Sequence, residues 1–256
     1  MNAKSWTWID TADAQDTDTD DIMKIADAFS KLAKTTAIYL ARIGVDGTSG
    51  NHISRKTVLE LELVNSALDA IKQRHGFEGF HLAGQSGGSR ITAGLFRLRR
   101  DISCAVLGSA PVAATENAKS ADPGRTFFDP TQNMSQWAQN RSIRMFLLTD
   151  KQDKKVPVAQ QTGFVDKLRR AGRQVSQFFV EAIDDNRHGV LTYTELVMAG
   201  CVLDRSDDEI ARALSTILKR NVEYNERRRK EVKAKASIVA AAKQAVAGAS
   251  AAPAGH

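Results

Sequence analysis

An α/β domain built on a mostly parallel sheet, with helices on both faces, is what this sequence predicts, and three observations carry the expectation. Between about residues 20 and 200, segments with helical apolar spacing alternate with short strand-like runs. Several of those runs are nearly unbroken in apolar residues, as strands buried on both faces are. The chain, at 256 residues, is also long enough to bury one sizeable core.

Each element follows from its own pattern. Residues 20–34 place Ile22, Ile25, Ala26, Phe29 and Leu32 three or four apart, which makes one face of a helix apolar. The strand TAIYLARIG follows it, and the one candidate strand upstream is SWTWI, from Ser5 to Ile9. Residues 57–75 repeat the helical spacing with Leu61, Val64, Leu68 and Ile71, and Gly76 suits the C-cap. FHLAG then reads as a strand, Ser89 to Arg100 as a helix, and ISCAVLGSA and RMFLLTD as two more strands. Pro157 to Ala171, closed by Gly172, predicts a helix, and VSQFFVEAI is β-rich enough to be the last strand. Ser206 with Glu209 forms a capping box that opens a long amphipathic C-terminal helix through Ile210, Leu214, Ile217 and Leu218. One domain is therefore expected over residues 1–218, followed by a basic and then Ala-rich tail, helical or disordered, over 219–256. The stretch 111–140 fits neither template and is expected to form a cap carrying Phe127, Phe128, Met134 and Trp137.

Composition narrows the function classes. Hydrophobic residues make up 42% and charged residues 26%, the proportions of an ordinary globular chain. No run reaches the roughly 18 apolar residues of a spanning helix, and MNAKSWTWID lacks the apolar core of a secretory leader. No membrane partner is expected, and a cytoplasmic home is the default. The two cysteines, Cys104 and Cys201, stand in no metal-ligand spacing, so no metal is expected and both read as buried free thiols. The net charge of +6 is local: its densest run, Lys219 to Lys235, also carries Glu223, Glu226 and Glu231. No nucleic-acid motif accompanies Arg227-Arg228-Arg229-Lys230, so a solvated helix face is expected there and no nucleic-acid partner. The sequence leaves the oligomeric state unknown.

Chemistry concentrates at Gly84-Gln85-Ser86-Gly87-Gly88, which leaves a strand and opens a helix. A GxSxG turn in that context holds a serine on a strained backbone, where only small neighbours let the chain pass. The Gly87 N–H, at the helix start, is placed to donate to an oxyanion. The plainer alternative is a glycine-rich turn, or a phosphate loop on the same helix end. A serine hydroxyl is a weak nucleophile, so the first reading requires a base and an orienting acid on later loops. Of five histidines, His52 precedes the turn, His75 ends a helix, His81 lies inside a strand and His256 is terminal. His188, after VSQFFVEAI and before Gly189, remains as the base. Asp150 and Asp153 both follow RMFLLT, and either serves as the acid.

The segment Asp153-Lys154-Lys155-Val156-Pro157 resembles the α/β-hydrolase family, in which a short segment from the acid to Val-Pro follows the penultimate strand. The resemblance favours Asp153, supplies the chain order Ser86, Asp153, His188, and covers roughly residues 20 to 220. It implies an α/β-hydrolase fold with fewer N-terminal strands, and an enzyme cleaving a carboxylic ester or small amide through an acyl-enzyme, with no cofactor. Phe127, Phe128 and Trp137 of the cap are its expected substrate contacts. One departure stands out. The family's second oxyanion N–H often comes from a His-Gly loop after an early strand, and here SWTWI runs into DTADAQDTDTDD. Either Asp10 to Ala12 supplies that N–H, or the chain is a shortened hydrolase of weak turnover or a catalytically impaired binding protein. A competing pattern spans 184–195, where Asp184, Asn186, Gly189 and Glu195 match an EF-hand-like calcium loop, although His188 occupies an oxygen-ligand position.

Overall fold

The computed structural model describes residues 5–9, 19–51, 54–112, 128–131, 134, 143–182, 184–221 and 223. Six strands form one sheet: β1 (Ser5–Ile9), β2 (Ala37–Leu40), β3 (Phe80–Gln85), β4 (Ile102–Gly108), β5 (Arg144–Thr149) and β6 (Val175–Phe179). Five helices lie between and after them: α1 (Thr19–Ala33), α2 (Val58–His75), α3 (Gly87–Leu95), α4 (Val158–Arg170) and α5 (Leu191–Val202). A sixth opens at residue 207 behind the expected capping box, with Ser206 N–H donating to Glu209 Oε2 at 2.8 Å and Glu209 N–H to Ser206 Oγ at 3.3 Å. Packing divides the chain after Leu214, with Ser215–His256 a separate unit.

The sheet runs β2-β1-β3-β4-β5-β6, and every neighbouring pair is parallel. Parallel strands need crossovers that cover both faces. Leu61, Val64 and Leu68 of α2, Ile91 and Leu95 of α3, and Phe164, Val165 and Leu168 of α4 share one core with Leu82, Leu107 and Leu147. Because side chains alternate along a strand, His81, Ala83 and Gln85 face the other side, where α5 packs on β3 and β4 with α1 beside it. The order reverses between β1 and β3: the chain moves outward to β2, then returns across β1 and proceeds to β6. Such a switch point leaves a crevice at the carboxyl ends of its two central strands, and Ser86 follows β3 directly into it.

Three features depart from the sequence expectations. β2 keeps only four of the nine residues of TAIYLARIG, because the chain turns away to bury Arg42, whose guanidinium grips Glu60 of α2 at 2.6 and 2.7 Å. Helix α5 falls where no helix was expected. Its residues LTYTELVMAGCV are apolar around most of the circumference, so a helix buried among other elements carries no amphipathic period to read. The third departure is a correction: Cys104 and Cys201 are not free thiols but form a disulfide, with Cα atoms 6.5 Å apart. Residues 97 positions apart bear no spacing signal of their own. Docking α5 across β4 is what brings the two sulfurs together. Among the described residues, no helix is long and apolar enough to cross a membrane, and no cluster of three or more His, Cys, Asp or Glu is arranged to hold a metal.

Candidate active site

Ser86 sits between β3 and α3 with φ 53° and ψ −119°, a conformation that costs an L-residue energy and is held by its surroundings. Its N–H donates to the Gly108 carbonyl at 2.8 Å, and its carbonyl accepts from Arg90 N–H one turn into the helix. Ser89, fully buried, fastens the same turn by donating its hydroxyl to the Gly84 carbonyl at 2.6 Å, with the Gly108 carbonyl at 2.8 Å. Gly84 is required by sterics. A Cβ there would lie 2.4 Å from Gly88 C and 2.6 Å from Ser89 N, both backbone atoms of the helix that must pass over it. Gly84→Ala is therefore expected to cost about 3 kcal/mol by overpacking and to displace Ser86. Urea denaturation measures the first effect, and an unchanged midpoint would contradict this account.

The Ser86 side chain makes no capping bond to α3, and Gly87 is the first residue of that helix, where N–H groups have no intrahelical acceptor. Strand β1 ends with Ile9 opposite Gly84. The residues expected to give a second N–H, Asp10 to Ala12, lie outside the described residues.

Asp153 and His188, the expected acid and base, come together from separate loops. Asp153 Oδ1 and Oδ2 lie 3.0 and 2.9 Å from His188 Nδ1, with both side chains buried. Burial opposes ionisation of Asp153, but the bond to His188 and the N–H groups of Val156 and Lys155 outweigh it and hold the carboxyl below the usual carboxylate range. Those N–H bonds measure 2.9 and 2.8 Å and turn the chain into α4. Asp150 makes no bond to the imidazole and pairs instead with Arg187 at 2.9 Å. Among the described residues Ser86 has no side-chain bond to His188. The two are tied through their neighbours: Val190 N–H donates to Gln85 Oε1 at 2.9 Å, and Ser109 Oγ to the His188 carbonyl at 2.8 Å.

A depressed carboxyl links the pair to pH. Protons bind Asp153 less readily in the folded chain than in the unfolded one. Its contribution is therefore present in full above the ordinary carboxylate value, about 3.9, and is lost as pH falls through the lower folded value. Asp153→Asn should flatten that acid limb of the stability curve, which denaturation between pH 2 and 6 measures; an unchanged limb would show that Asp153 is not the linked group.

The loop 184–190 also answers the EF-hand pattern. Asp184 Oδ1 accepts the N–H groups of His188 and Gly189 at 2.9 and 2.6 Å, and Oδ2 accepts that of Asn186 at 3.1 Å. Although burial opposes it, these N–H bonds hold Asp184 below the usual carboxylate range. The segment before the loop is strand β6, not a helix, and Glu195 lies within α5, where burial pushes its carboxyl upward. The Asp-x-Asn pattern is thus the mark of a tight turn that collects backbone N–H groups and presents His188. Of the expected substrate contacts, Phe127 and Trp137 lie outside the described residues. Phe128 is 3% exposed and belongs to the core beside Leu61 and Ile91, with the Arg90 guanidinium 5.2 Å from its ring, so little of it faces a ligand. Gln85, Ser89 and Ser109 were not legible as site residues, since each acts through a partner distant in sequence or through the backbone.

No family model matches the sequence, and a search of curated proteins finds no match. Solved structures do. The Pyrococcus furiosus esterase Pf2001 is 13% identical, with a TM-score of 0.58 over 79% of this chain and 81% of that one. Est1E from Butyrivibrio proteoclasticus is 12% identical, with a TM-score of 0.56 over 79% and 88%. An alpha-beta serine hydrolase homologue from Coxiella burnetii is 14% identical, with a TM-score of 0.52 over 77% and 83%. At such identities the likeness is one of architecture, and with the parallel sheet, the strained turn after β3 and its switch point, it establishes that this chain has the α/β-hydrolase fold.

Proposed function

We propose that the chain is a serine hydrolase cleaving a carboxylic ester or small amide, with Ser86 as nucleophile, His188 as general base and Asp153 as the orienting acid. The observation that carries this reading is the buried Asp153–His188 pair, at 2.9 Å, on a loop fastened to the residue before a strained Ser86. Asp153, held ionised, fixes the imidazole with Nδ1 as donor and leaves Nε2 to take the Ser86 proton. Attack on the carbonyl carbon moves negative charge onto its oxygen, where the Gly87 N–H and the field of the α3 N-terminus favour it. The imidazolium then protonates the leaving group, and water, deprotonated by the same imidazole, releases the acyl group from Ser86. No cofactor enters this sequence. Esterase and serine-hydrolase neighbours of the same fold support a small-molecule substrate.

A fluorophosphonate probe tests the reading directly. Native protein is expected to be labelled on Ser86 and Ser86→Ala not at all, with the adduct located by peptide mass. Native protein that stays unlabelled would leave the fold without the chemistry and favour a binding role for the same crevice.

A further inference from the structure

Two acids of the loop after β5 pair with two consecutive residues of the loop after β6. Asp153 holds His188; three residues earlier, Asp150 holds Arg187, with Nε 2.9 Å from Oδ2 and an Nη 3.4 Å from Oδ1. Asp150 is 1% exposed, and its remaining capacity goes to the N–H groups of Gln152 and Ala182, both at 2.7 Å. Arg187 takes a left-handed backbone, φ 55°, and its N–H donates to the Asp184 carbonyl at 3.0 Å. The reversal at Arg187 therefore sends two neighbouring side chains to two acids of one loop. Lys154 joins the same loops a third time, its N–H donating to the Asn186 carbonyl at 3.0 Å and its ammonium to the Asp185 carbonyl at 2.8 Å.

We propose that Asp150 and Arg187 are a positioning pair for His188, holding the turn that presents the imidazole and cancelling each other's charge beside it. This rests on the serine-hydrolase reading for its kinetic consequence, though not for its electrostatic one. Without Asp150 the guanidinium, whose other carboxylate is the more exposed Glu181 at 3.9 Å, would oppose the imidazolium that forms as Ser86 is deprotonated. Left alone, the Asp150 carboxylate would favour a standing imidazolium, which cannot act as a base. Paired, they do neither, and among the described residues Asp153 remains the one carboxylate that the imidazole contacts.

The test uses the full chain and the variants Arg187→Gln, Asp150→Asn and both together. The His188 Hε1 resonance is followed against pH, assigned by its loss in His188→Gln. The other charged groups of the surrounding elements stay in place: Asp184 and Asp185 on its own loop, Lys154 and Lys155 on the acid loop, Glu181 after β6 and Glu195 on α5. Relative to native protein, the midpoint is expected to rise in Arg187→Gln and fall in Asp150→Asn by roughly half a pH unit or more, with the double variant between them. A purely structural pair would lower thermal stability in all three without opposed shifts, so shifts of one sign, or none, overturn the proposal. Should Asp150→Asn fail to fold, Arg187→Lys serves instead: restoring the charge must return the midpoint toward its native value, and failure to do so is equally fatal. Because the resonance reports without turnover, absent fluorophosphonate labelling would sink the hydrolase reading and leave this result standing.

Discussion

On the proposed mechanism, replacing His188 with Gln is expected to lower ester hydrolysis by about 10⁴- to 10⁶-fold, because the nucleophile then has no base. The fold should survive. The Asp153 carboxylate keeps the N–H bonds of Lys155 and Val156 after the imidazole is gone, so it is not stranded, and a loss of about 1 kcal/mol matches one removed hydrogen bond. A chromogenic short-chain ester measures the rate and thermal denaturation the stability. Asp153→Asn should fall nearly as far, by about 10⁴-fold or 5.5 kcal/mol in the barrier, since an amide fits the space but admits the wrong imidazole tautomer. A His188 variant within tenfold of native would assign the base elsewhere.

Stability gives the second large effect. The bridge from Cys104 in β4 to Cys201 near the end of α5 closes a loop of 97 residues, and cross-links of such span contribute about 2–4 kcal/mol, mainly by restricting the unfolded chain. Cys104→Ser is therefore expected to lower Tm by about 6–12 °C, and a reductant should do the same to native protein while leaving the variant unmoved. Thiol titration of the unfolded, unreduced chain should find neither cysteine reactive. Two free thiols, or a Tm indifferent to reductant, would remove the bridge. The consequence reaches the site, because α5 begins one residue after Val190, whose N–H is bonded to Gln85.

Most of the sheet was legible because buried parallel strands are short apolar runs. β3, β4 and β5 fall within FHLAG, ISCAVLGSA and RMFLLTD or run one residue past them. Helix α2 was marked at its C-terminal end by Gly76, which takes φ 67°, and the structure adds a Thr57 side chain accepting from Glu60 N–H at the other end. Boundaries were less legible where tertiary contacts move them. Helix α3 starts at Gly87 instead of Ser89, because the strained Ser86 itself is the N-cap. α5 escaped because its apolar residues have no preferred side, and the disulfide because nothing in the chain announces which helix crosses β4.

By itself the sequence determined the α/β class and the strand-turn-helix around Ser86, because these depend on local spacing and turn chemistry, while the order Ser86, Asp153, His188 came from a family resemblance. Only the tertiary structure showed Asp153 in contact with His188 and Asp150 with Arg187, and that the Asp184 loop is a histidine-bearing turn. It alone paired the two cysteines and put β1 between β2 and β3 beside the serine. Each of these depends on which distant segments the sheet brings within a few ångströms, and a hydrogen bond or a disulfide is sensitive to that distance in a way that residue spacing along the chain is not.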